Sequence, residues 1–474
     1  MTAAARFPIR TPRFAPLFRR SLSVLTTAAL LSAHLPQTAH AQRSGMPVIR
    51  DTEIEQLLRD YTQPILKSAG LTNQNVKVVI INDQSFNAFV MDGKRIFVNT
   101  GALMESQTPN QIIGVLAHET GHIAGGHLSR LRDELANAQT MAIIGMLLGV
   151  GAMVAGGANS GAAQAGAAAI AGSQQAALRT VLSYQRSQEE QADRAAVKFL
   201  NATGQSSKGM YETFKRFADQ AMFTSRRVDP YAQSHPMPTE RAGALAEIAG
   251  VNKYWDKKDP PDLQLRHDMM RAKLSGFMEQ PATIARRYPQ SDTSLPARYA
   301  RAISAYRFGN LQSAIQQIDA LIAAQPGNPY FHELKGQALL ESGRGKEAVE
   351  PLRRALQLAP NAPLIQIMMA QALISTNNTA YAGEAITLLR NALAREPETP
   401  AGYQHLAMAY GRKGDLAQAD LASAQAAFYR GDIKTARELA ARAKTRLAIG
   451  SPGWIKADDI VATKIPESIT TQRR

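Results

Sequence analysis

The chain has 474 residues, a formal net charge of +15 and no cysteine. This length is enough for two or three domains with ordinary hydrophobic cores. The lack of cysteine excludes disulfides, cysteine-ligated metal sites, thiol catalysis and the lipid anchor that bacterial lipoproteins carry on an N-terminal cysteine. The positive charge favours anionic partners such as membrane headgroups, and nucleic acid is not expected because no nucleic-acid-binding motif accompanies the charge.

The first 41 residues have the pattern of an export signal. Five arginines precede the apolar run SLSVLTTAALLSA, an Ala-x-Ala sequence follows at 39–41, and no acidic residue occurs before Asp51. This pattern predicts cleavage before Gln42. A mitochondrial transit peptide is the alternative, since it is also rich in arginine, but the compact apolar run favours secretion.

An amphipathic helix and a small sheet are predicted next. The segment DTEIEQLLRDYTQPILKSAG has helical spacing and ends at Gly70. Strand-like runs follow at 76–81, 86–91 and 95–99, with a turn at Asp92-Gly93. These strands precede the most informative helix of the chain.

That helix carries the sequence His118-Glu119-Thr120-Gly121-His122. Residues four apart share a helix face, so His118 and His122 can both bind one metal ion. Glu119 lies one residue further round, where it can reach a metal-bound water without binding the metal itself. This is the HExxH pattern of zinc peptidases, with two imidazole ligands and a general base.

The start and the far end of this helix lead to two further predictions. Thr108 is the candidate N-cap, Pro109 the first helical residue, and Gln111 the partner in a capping box. His127 lies nine residues after His118, which does not match a three-histidine metal site, so it is expected to be a partly exposed surface histidine.

The segment 135–178 contains no charged residue. Its apolar run MAIIGMLLGVGAMVA is shorter than the twenty or so residues that span a bilayer, and a stretch rich in glycine and alanine follows. Three interpretations stay open: a buried or lid-like helical hairpin over the active site, a segment on the membrane surface, and a transmembrane hairpin.

The following helix, which ends at Gly204, brings two carboxylates onto one face. Glu189 and Asp193 are four residues apart, so Glu189 can be a third metal ligand and Asp193 can orient a ligand imidazole from behind. The alternative is an ordinary acidic surface helix, on which Glu190 would serve equally well. The HExxH sequence favours the ligand interpretation.

Three motifs together resemble the Ste-type and HtpX-type gluzincin metallopeptidases. They are HETGH, then SQEEQADRAA, then SHPMPTERAGAL, and the strand sequences NAF and IFVNTGAL are also similar, so that the resemblance covers about 55–245. It implies one zinc ion per chain held by His118, His122 and Glu189. It also implies that His235 and Arg241 lie at the mouth of the active site.

The resemblance also suggests how the remaining residues act. Substrate peptides of such enzymes lie extended along an edge strand, for which Asn87, Ala88 and Phe89 are the candidates. His235 lies in a stiff Ser-His-Pro-x-Pro turn, where it can polarise the scissile carbonyl with support from Arg241. It can instead bind zinc as a fourth ligand and keep the enzyme latent, and a purely structural turn is the third possibility.

The C-terminal half contains repeats of about 34 residues. Small residues recur at fixed offsets, and a proline closes each unit at 326, 360 and 397. This pattern resembles tetratricopeptide repeats, whose paired helices form a solenoid that binds peptides or partner proteins. A role as a mere spacer is the alternative.

We therefore predict a mainly α fold. A signal peptide at 1–41 precedes a gluzincin domain of helices and a small β-sheet at 42–255. Junction helices at 256–294, a tetratricopeptide α-solenoid at 295–450 and a C-terminal tail at 451–474 follow.

The combination of domains resembles a family of periplasmic proteases. It implies a zinc-dependent endopeptidase with chaperone-like activity that degrades misassembled outer-membrane β-barrel proteins and contacts the barrel-assembly machinery. Contact of 135–178 with the membrane surface remains open. The alternatives are a tetratricopeptide chaperone or adaptor with a latent protease domain, and an integral membrane protease of the HtpX kind.

Overall fold

The computed structural model describes residues 46–156, 161–223, 234–236 and 239–464. The predicted signal peptide and its cleavage site lie outside the described residues. Helix α1, Thr52–Ser68, begins at Asp51, whose carboxylate accepts a hydrogen bond of 2.9 Å from the Ile54 amide. The helix buries the predicted apolar face, and the chain turns at Gly70 with a φ of 73°. Only glycine adopts this backbone conformation at little cost.

A sheet of four short strands contains the three predicted runs, and its first strand along the chain was not predicted. The strands are β1 Val48–Ile49, β2 Lys77–Ile81, β3 Ala88–Val90 and β4 Arg95–Asn99, in the order β1-β2-β4-β3. Strands β2 and β4 are parallel, and the other two pairings are antiparallel. Among the described strands β3 pairs with β4 alone, so it forms an edge of the sheet, where the sequence predicted the substrate-binding strand.

Helices α2, Thr100–Glu105, and α3, Pro109–Ala124, follow the sheet. Pro109 is the first residue of α3, as predicted, but the predicted capping box is wrong. The Thr108 side chain makes no capping hydrogen bond, and the Gln111 carboxamide accepts from the Gln107 amide at 2.7 Å instead. The helix is held by its buried apolar face, formed by Ile112, Ile113, Val115, Leu116 and Ala117.

A long helical hairpin follows α3. Helix α4, His127–Gly156, packs against helix α5, Gly161–Ala202. The predicted segment 135–178 is helical where the structure describes it, but none of its described side chains is buried: Met141 is 62% exposed and Ile143 is 56% exposed. Among the described residues no helix is long and apolar enough to cross a membrane.

The predicted junction is part of two hydrophobic cores. Helices α6, Lys208–Phe223, and α7, Thr239–Gly250, complete the N-terminal domain before α8, Pro261–Met278, and α9, Pro281–Arg287. Met270 of α8 is buried in the core of the N-terminal domain, and Met269 beside it is buried in the first core of the repeats. Helix α8 therefore joins the two domains as a packed element.

Five helix pairs form the predicted solenoid. They comprise α10 Leu295–Phe308, α11 Leu311–Ala324, α12 Pro329–Glu341, α13 Gly345–Leu358, α14 Pro363–Ser375, α15 Ala382–Arg395, α16 Pro400–Lys413, α17 Leu416–Tyr429, α18 Ile433–Lys444 and α19 Pro452–Ala462. A short 3-10 turn at Thr379–Tyr381 lies between α14 and α15. The predicted tail at 451–474 begins with a packed helix, α19. Ala457 and Ile460 of this helix are buried against alanines of α18.

The solenoid is joined to the N-terminal domain by a buried group of charged side chains. Lys273 Nζ of α8 lies 2.7 Å from Asp51 Oδ2 and 3.1 Å from Glu53 Oε2. Thr52 Oγ1 donates to Glu333 Oε1 of α12 at 2.9 Å. Helix α14 also contacts α1, so the repeats pack directly on the helix that precedes the sheet.

Candidate metal centre

Helix α3 presents the two predicted ligand histidines on one face. His118 is completely buried and His122 is partly buried. Their Nε2 atoms lie 3.0 Å apart, so both lone pairs converge on one point. The spacing of four residues on a helix produces this geometry, as the sequence predicted.

Helix α5 brings Glu189 to the same point. Glu189 Oε1 lies 3.3 Å from His122 Nε2, and Oε2 lies 3.3 Å from His118 Nε2. The two helices approach closely at Gly121, where an added Cβ would lie 2.8 Å from the Ala192 carbonyl oxygen. Glu190 is exposed, so the helix directs Glu189 and not its neighbour into the site.

His235 joins the three predicted ligands. His235 Nδ1 lies 3.1 Å from Glu189 Oε2 and 3.4 Å from His118 Nε2. Ligand atoms of His118, His122, Glu189 and His235 all lie within 4.8 Å of one another, which is the arrangement of a metal-binding cluster. His235 Nε2 also lies 3.3 Å from the carbonyl oxygen of Ala88, on the edge strand.

The carboxylate of Asp193 lies behind His118. His118 Nδ1 is 2.9 Å from Asp193 Oδ1, on the side of the ring away from the cluster. Arg241 is also buried, and its guanidinium donates to both oxygens of Asp193 at 2.7 and 2.8 Å while Nη1 lies 2.8 Å from Glu189 Oε2. Arg241 therefore holds the carboxylates of the site, and its predicted contact with the transition state stays a prediction.

Glu119 is buried beside the cluster, and its carboxylate forms no hydrogen bond with any residue that the structure describes. His235 is an ionisable neighbour, and its Nε2 lies 3.4 Å from Glu119 Oε1. Burial raises the pKa of Glu119, although the neighbouring His235 and His118 lower it. A buried carboxylate with free lone pairs next to a set of metal donors is what a general base for water requires.

The charges around the cluster favour a cation at its centre. Burial lowers the pKa of His118, but contacts with the carboxylates of Asp193 and Glu189 raise it to about 9, and a metal ion that binds to this ring must displace its proton. Burial lowers the pKa of His122 to about 3, which leaves this ring neutral. Burial raises the pKa of Glu189, but His235 and the hydrogen bonds from the histidines hold it well below its ordinary value. Two imidazoles and an ionised carboxylate form a donor set that fits Zn²⁺.

The expectation for His127 is wrong. This histidine is only 3% exposed, and its Nδ1 lies 3.0 Å from His122 Nδ1. The reason is the turn at Gly125-Gly126, which ends α3 and lets the chain fold back, so that helical spacing does not apply beyond Ala124. Phe214 was also not predicted; its ring contacts His118 edge to face, at a centroid distance of 5.2 Å.

Comparison with known proteins agrees with this geometry. Residues 50–249 match the model of peptidase family M48, and residues 299–363 match that of the tetratricopeptide repeat. The β-barrel assembly-enhancing proteases of Yersinia pestis and of Escherichia coli K12 are 24% and 23% identical to the chain. Each alignment covers 86% of this chain, and it covers 83% and 82% of the respective relative.

A shorter relative matches the peptidase domain. Metalloprotease YcaL of Escherichia coli K12 is 32% identical over 38% of this chain and 65% of its own length. The family matches, the protease relatives and the converging donor set agree with one another. The chain is a metallopeptidase with a catalytic domain that matches peptidase family M48, and tetratricopeptide repeats follow this domain.

Proposed function

We propose that the protein is a zinc-dependent endopeptidase of the periplasm that degrades unfolded or misassembled outer-membrane β-barrel proteins. The observation that carries the proposal is the convergence of His118, His122 and Glu189 beside the buried carboxylate of Glu119. The names of the relatives support the substrate class. The pattern of residues 1–41 supports export.

The residues of this chain divide the chemistry between them. His118, His122 and Glu189 would hold zinc, which supplies a Lewis acid that activates water and polarises a carbonyl group. Glu119 would accept the proton of the attacking water and deliver it to the amine that leaves. The edge strand β3 would bind the substrate as an added strand, through its backbone hydrogen-bonding groups.

We propose that His235 keeps the enzyme latent. It reaches the donor atoms with Nδ1 and the carbonyl oxygen of Ala88 with Nε2, so it competes both for the metal and for a backbone acceptor of the edge strand. A substrate strand requires that acceptor, and an open metal position is required for catalysis. The segment that carries His235 must therefore move away before cleavage.

The solenoid and the hairpin are the proposed contacts with partners. The repeats would recruit substrates or the barrel-assembly machinery, which would also account for a chaperone-like activity. The exposed apolar side chains of the hairpin, among them Met141, Ile143 and Ile144, would bind unfolded barrel segments or the membrane surface. Helix α5, the second helix of the hairpin, extends to Glu189, so a single helix connects the hairpin with the metal centre.

The test compares an unfolded outer-membrane porin, the same porin folded in detergent, and casein. We expect wild-type protein with zinc to cleave the unfolded porin and to leave the folded porin intact. The variant Glu119→Gln should cleave neither, because the general base is missing. If casein is degraded as fast as the unfolded porin, the proposed preference for barrel proteins is wrong.

The latent state has its own test on the same substrates. His235→Ala should raise the rate of cleavage severalfold, since the variant frees a metal position and the edge strand together. A loss of activity in His235→Ala, with zinc still bound, would instead assign His235 to the transition state and contradict latency.

A further inference from the structure

His127 is the first residue of α4 and lies against the metal centre. Its ring is buried, and its Nδ1 lies 3.0 Å from Nδ1 of His122. Its backbone carbonyl oxygen accepts a hydrogen bond of 3.0 Å from the side chain of Gln188, the residue before Glu189. The residue is thus fixed both to α3 and to α5.

Two glycines allow the ring of His127 to lie beside His122. Gly126 has a φ of 61°, in the left-handed region that favours glycine. At Gly125 an added Cβ would lie 2.2 Å from His127 Nε2, so any side chain there would displace the imidazole. The turn Gly125-Gly126 therefore has a shape that admits the His127 ring beside His122.

The orientation of His122 determines which of its nitrogens carries a proton. Its Nε2 faces His118 Nε2 at 3.0 Å and Glu189 Oε1 at 3.3 Å, so Nε2 is the atom that would bind the metal. A metal-binding nitrogen has no proton, and the proton of the neutral ring then resides on Nδ1. That N–H group requires an acceptor, because a buried donor without one costs free energy.

His127 Nδ1 is the acceptor in that position. His118 shows the same arrangement on the other side of the cluster, where its Nδ1 lies 2.9 Å from Asp193 Oδ1. Each ligand histidine thus has its own partner behind it. Such partners fix the tautomer and the orientation of a ligand ring and increase its basicity.

We propose that His127 is a positioning residue of the metal centre, which accepts the Nδ1 proton of His122 through its own Nδ1. This proposal rests on the proposed function, since it requires that His122 bind zinc. His127 carries its own proton on Nε2 and does not bind the metal. Its contribution is to metal affinity and to the geometry of His122, and not to proton transfer.

The test measures the dissociation constant of Zn²⁺ for the full chain by competition with a chromogenic chelator. His127→Leu removes the acceptor and should weaken zinc binding about tenfold to a hundredfold. His127→Asn keeps an acceptor oxygen near the position of Nδ1 and should recover most of the affinity. At saturating zinc, His127→Leu should regain most of its kcat, because the residue takes no part in the reaction itself.

Further variants separate this role from a general effect on folding. Gly125→Ala should weaken zinc binding although His127 is present, because the methyl group displaces the ring. His405→Leu, in the solenoid, should bind zinc like the wild type. Thermal unfolding of the metal-free proteins gives a readout of folding alone: a structural role would lower the midpoint of His127→Leu and leave its zinc affinity unchanged.

The outcomes distinguish the two proposals. A wild-type chain that binds no zinc contradicts the proposed function. If the wild type binds zinc tightly and His127→Leu binds it with equal affinity, the role of His127 is overturned. The proposed function is then left intact. Equal weakening in His127→Leu and His127→Asn would also overturn it, since the loss would then not follow the acceptor.

Discussion

At the scale of residues, one carboxylate of an acidic pair lies in the metal centre and the other does not. Glu189 faces the histidines while Glu190, its neighbour in sequence, is exposed. Helical geometry separates adjacent side chains by about 100°, so a helix that directs one into a site turns the other towards solvent. The choice between the two depends on how α5 is rotated against α3.

This choice gives a prediction with a matched control. Glu189→Gln should lose zinc affinity by at least a hundredfold and should lose cleavage of casein, because the charged ligand is replaced by a neutral amide. Glu190→Gln removes the same charge one residue away and should bind zinc and cleave casein like the wild type. Zinc content after dialysis and the rate of casein cleavage are measured for both variants. Loss of zinc from Glu190→Gln would show that the helix is rotated differently.

At the scale of elements, the site depends on the close packing of α3 on α5. Gly121 lies between the two ligand histidines, and its Cα faces the backbone of Ala192. A side chain at this position would separate the helix that carries His118 and His122 from the helix that carries Glu189. Gly121, the residue before the second histidine of the HExxH motif, thus allows the two helices to pack closely.

Gly121→Ala should therefore lower the free energy of unfolding by about 1–3 kcal/mol, which is typical of overpacking in a core. Gly243→Ala is the control, since an added Cβ there meets no atom within 4 Å and alanine favours a helix. Urea unfolding in the presence of a chelator compares the two. Equal stability of Gly121→Ala and Gly243→Ala would contradict the close approach of α3 and α5.

At the scale of the whole molecule, the two domains are joined by the buried charges around Lys273. Asp51 and Glu53 contact its ammonium group, and Glu333 lies nearby from α12. Tyr299 of α10 donates to Glu53 at 2.9 Å. Three carboxylates around one ammonium group disfavour full ionisation, because like charges at close range in a buried site repel.

Burial, together with the charges of Asp51 and Glu53, raises the pKa of Glu333 from 4.5 to about 7, although Lys273 lowers it. At pH values between 4.5 and 7 the folded protein binds more protons than the unfolded chain. The contribution of Glu333 to the free energy of unfolding is therefore complete below about pH 4.5 and is lost as the pH rises towards 7. The loss amounts to about 3–4 kcal/mol. Thr52 donates a hydrogen bond to this carboxyl group, Tyr330 interacts with its charge, and Tyr299 donates to the neighbouring Glu53.

Glu333→Gln should abolish this part of the pH dependence. Urea unfolding at pH 5 and pH 7.5, at one fixed zinc concentration, should show a smaller decrease in stability for Glu333→Gln than for the wild type. Glu438→Gln, an exposed pair member in the last repeats, should behave like the wild type. An unchanged decrease in Glu333→Gln would show that Glu333 ionises normally and that the interface does not retain a proton.

The sequence was informative where periodicity decides the structure. Helix α3, the edge strand β3 and the repeat helices follow from helical and strand spacing, and the convergence of His118, His122 and Glu189 follows from a motif. His127 could not be placed in this way, because its position depends on a two-glycine turn that interrupts the helix. Helix α19 was missed because its few buried residues, Ala457 and Ile460, resemble the composition of a tail.

The central claim is that one zinc ion held by His118, His122 and Glu189, with Glu119 as the base, cleaves peptide bonds. The most direct measurement determines zinc content and casein cleavage for the mature wild type and for Glu119→Gln, side by side. We predict one zinc per chain in both proteins and cleavage by the wild type alone. The same comparison in chains that also carry His235→Ala should show a higher rate with Glu119 and no cleavage with Glu119→Gln. Cleavage by Glu119→Gln at the wild-type rate, or the absence of zinc from the wild type, would contradict this account.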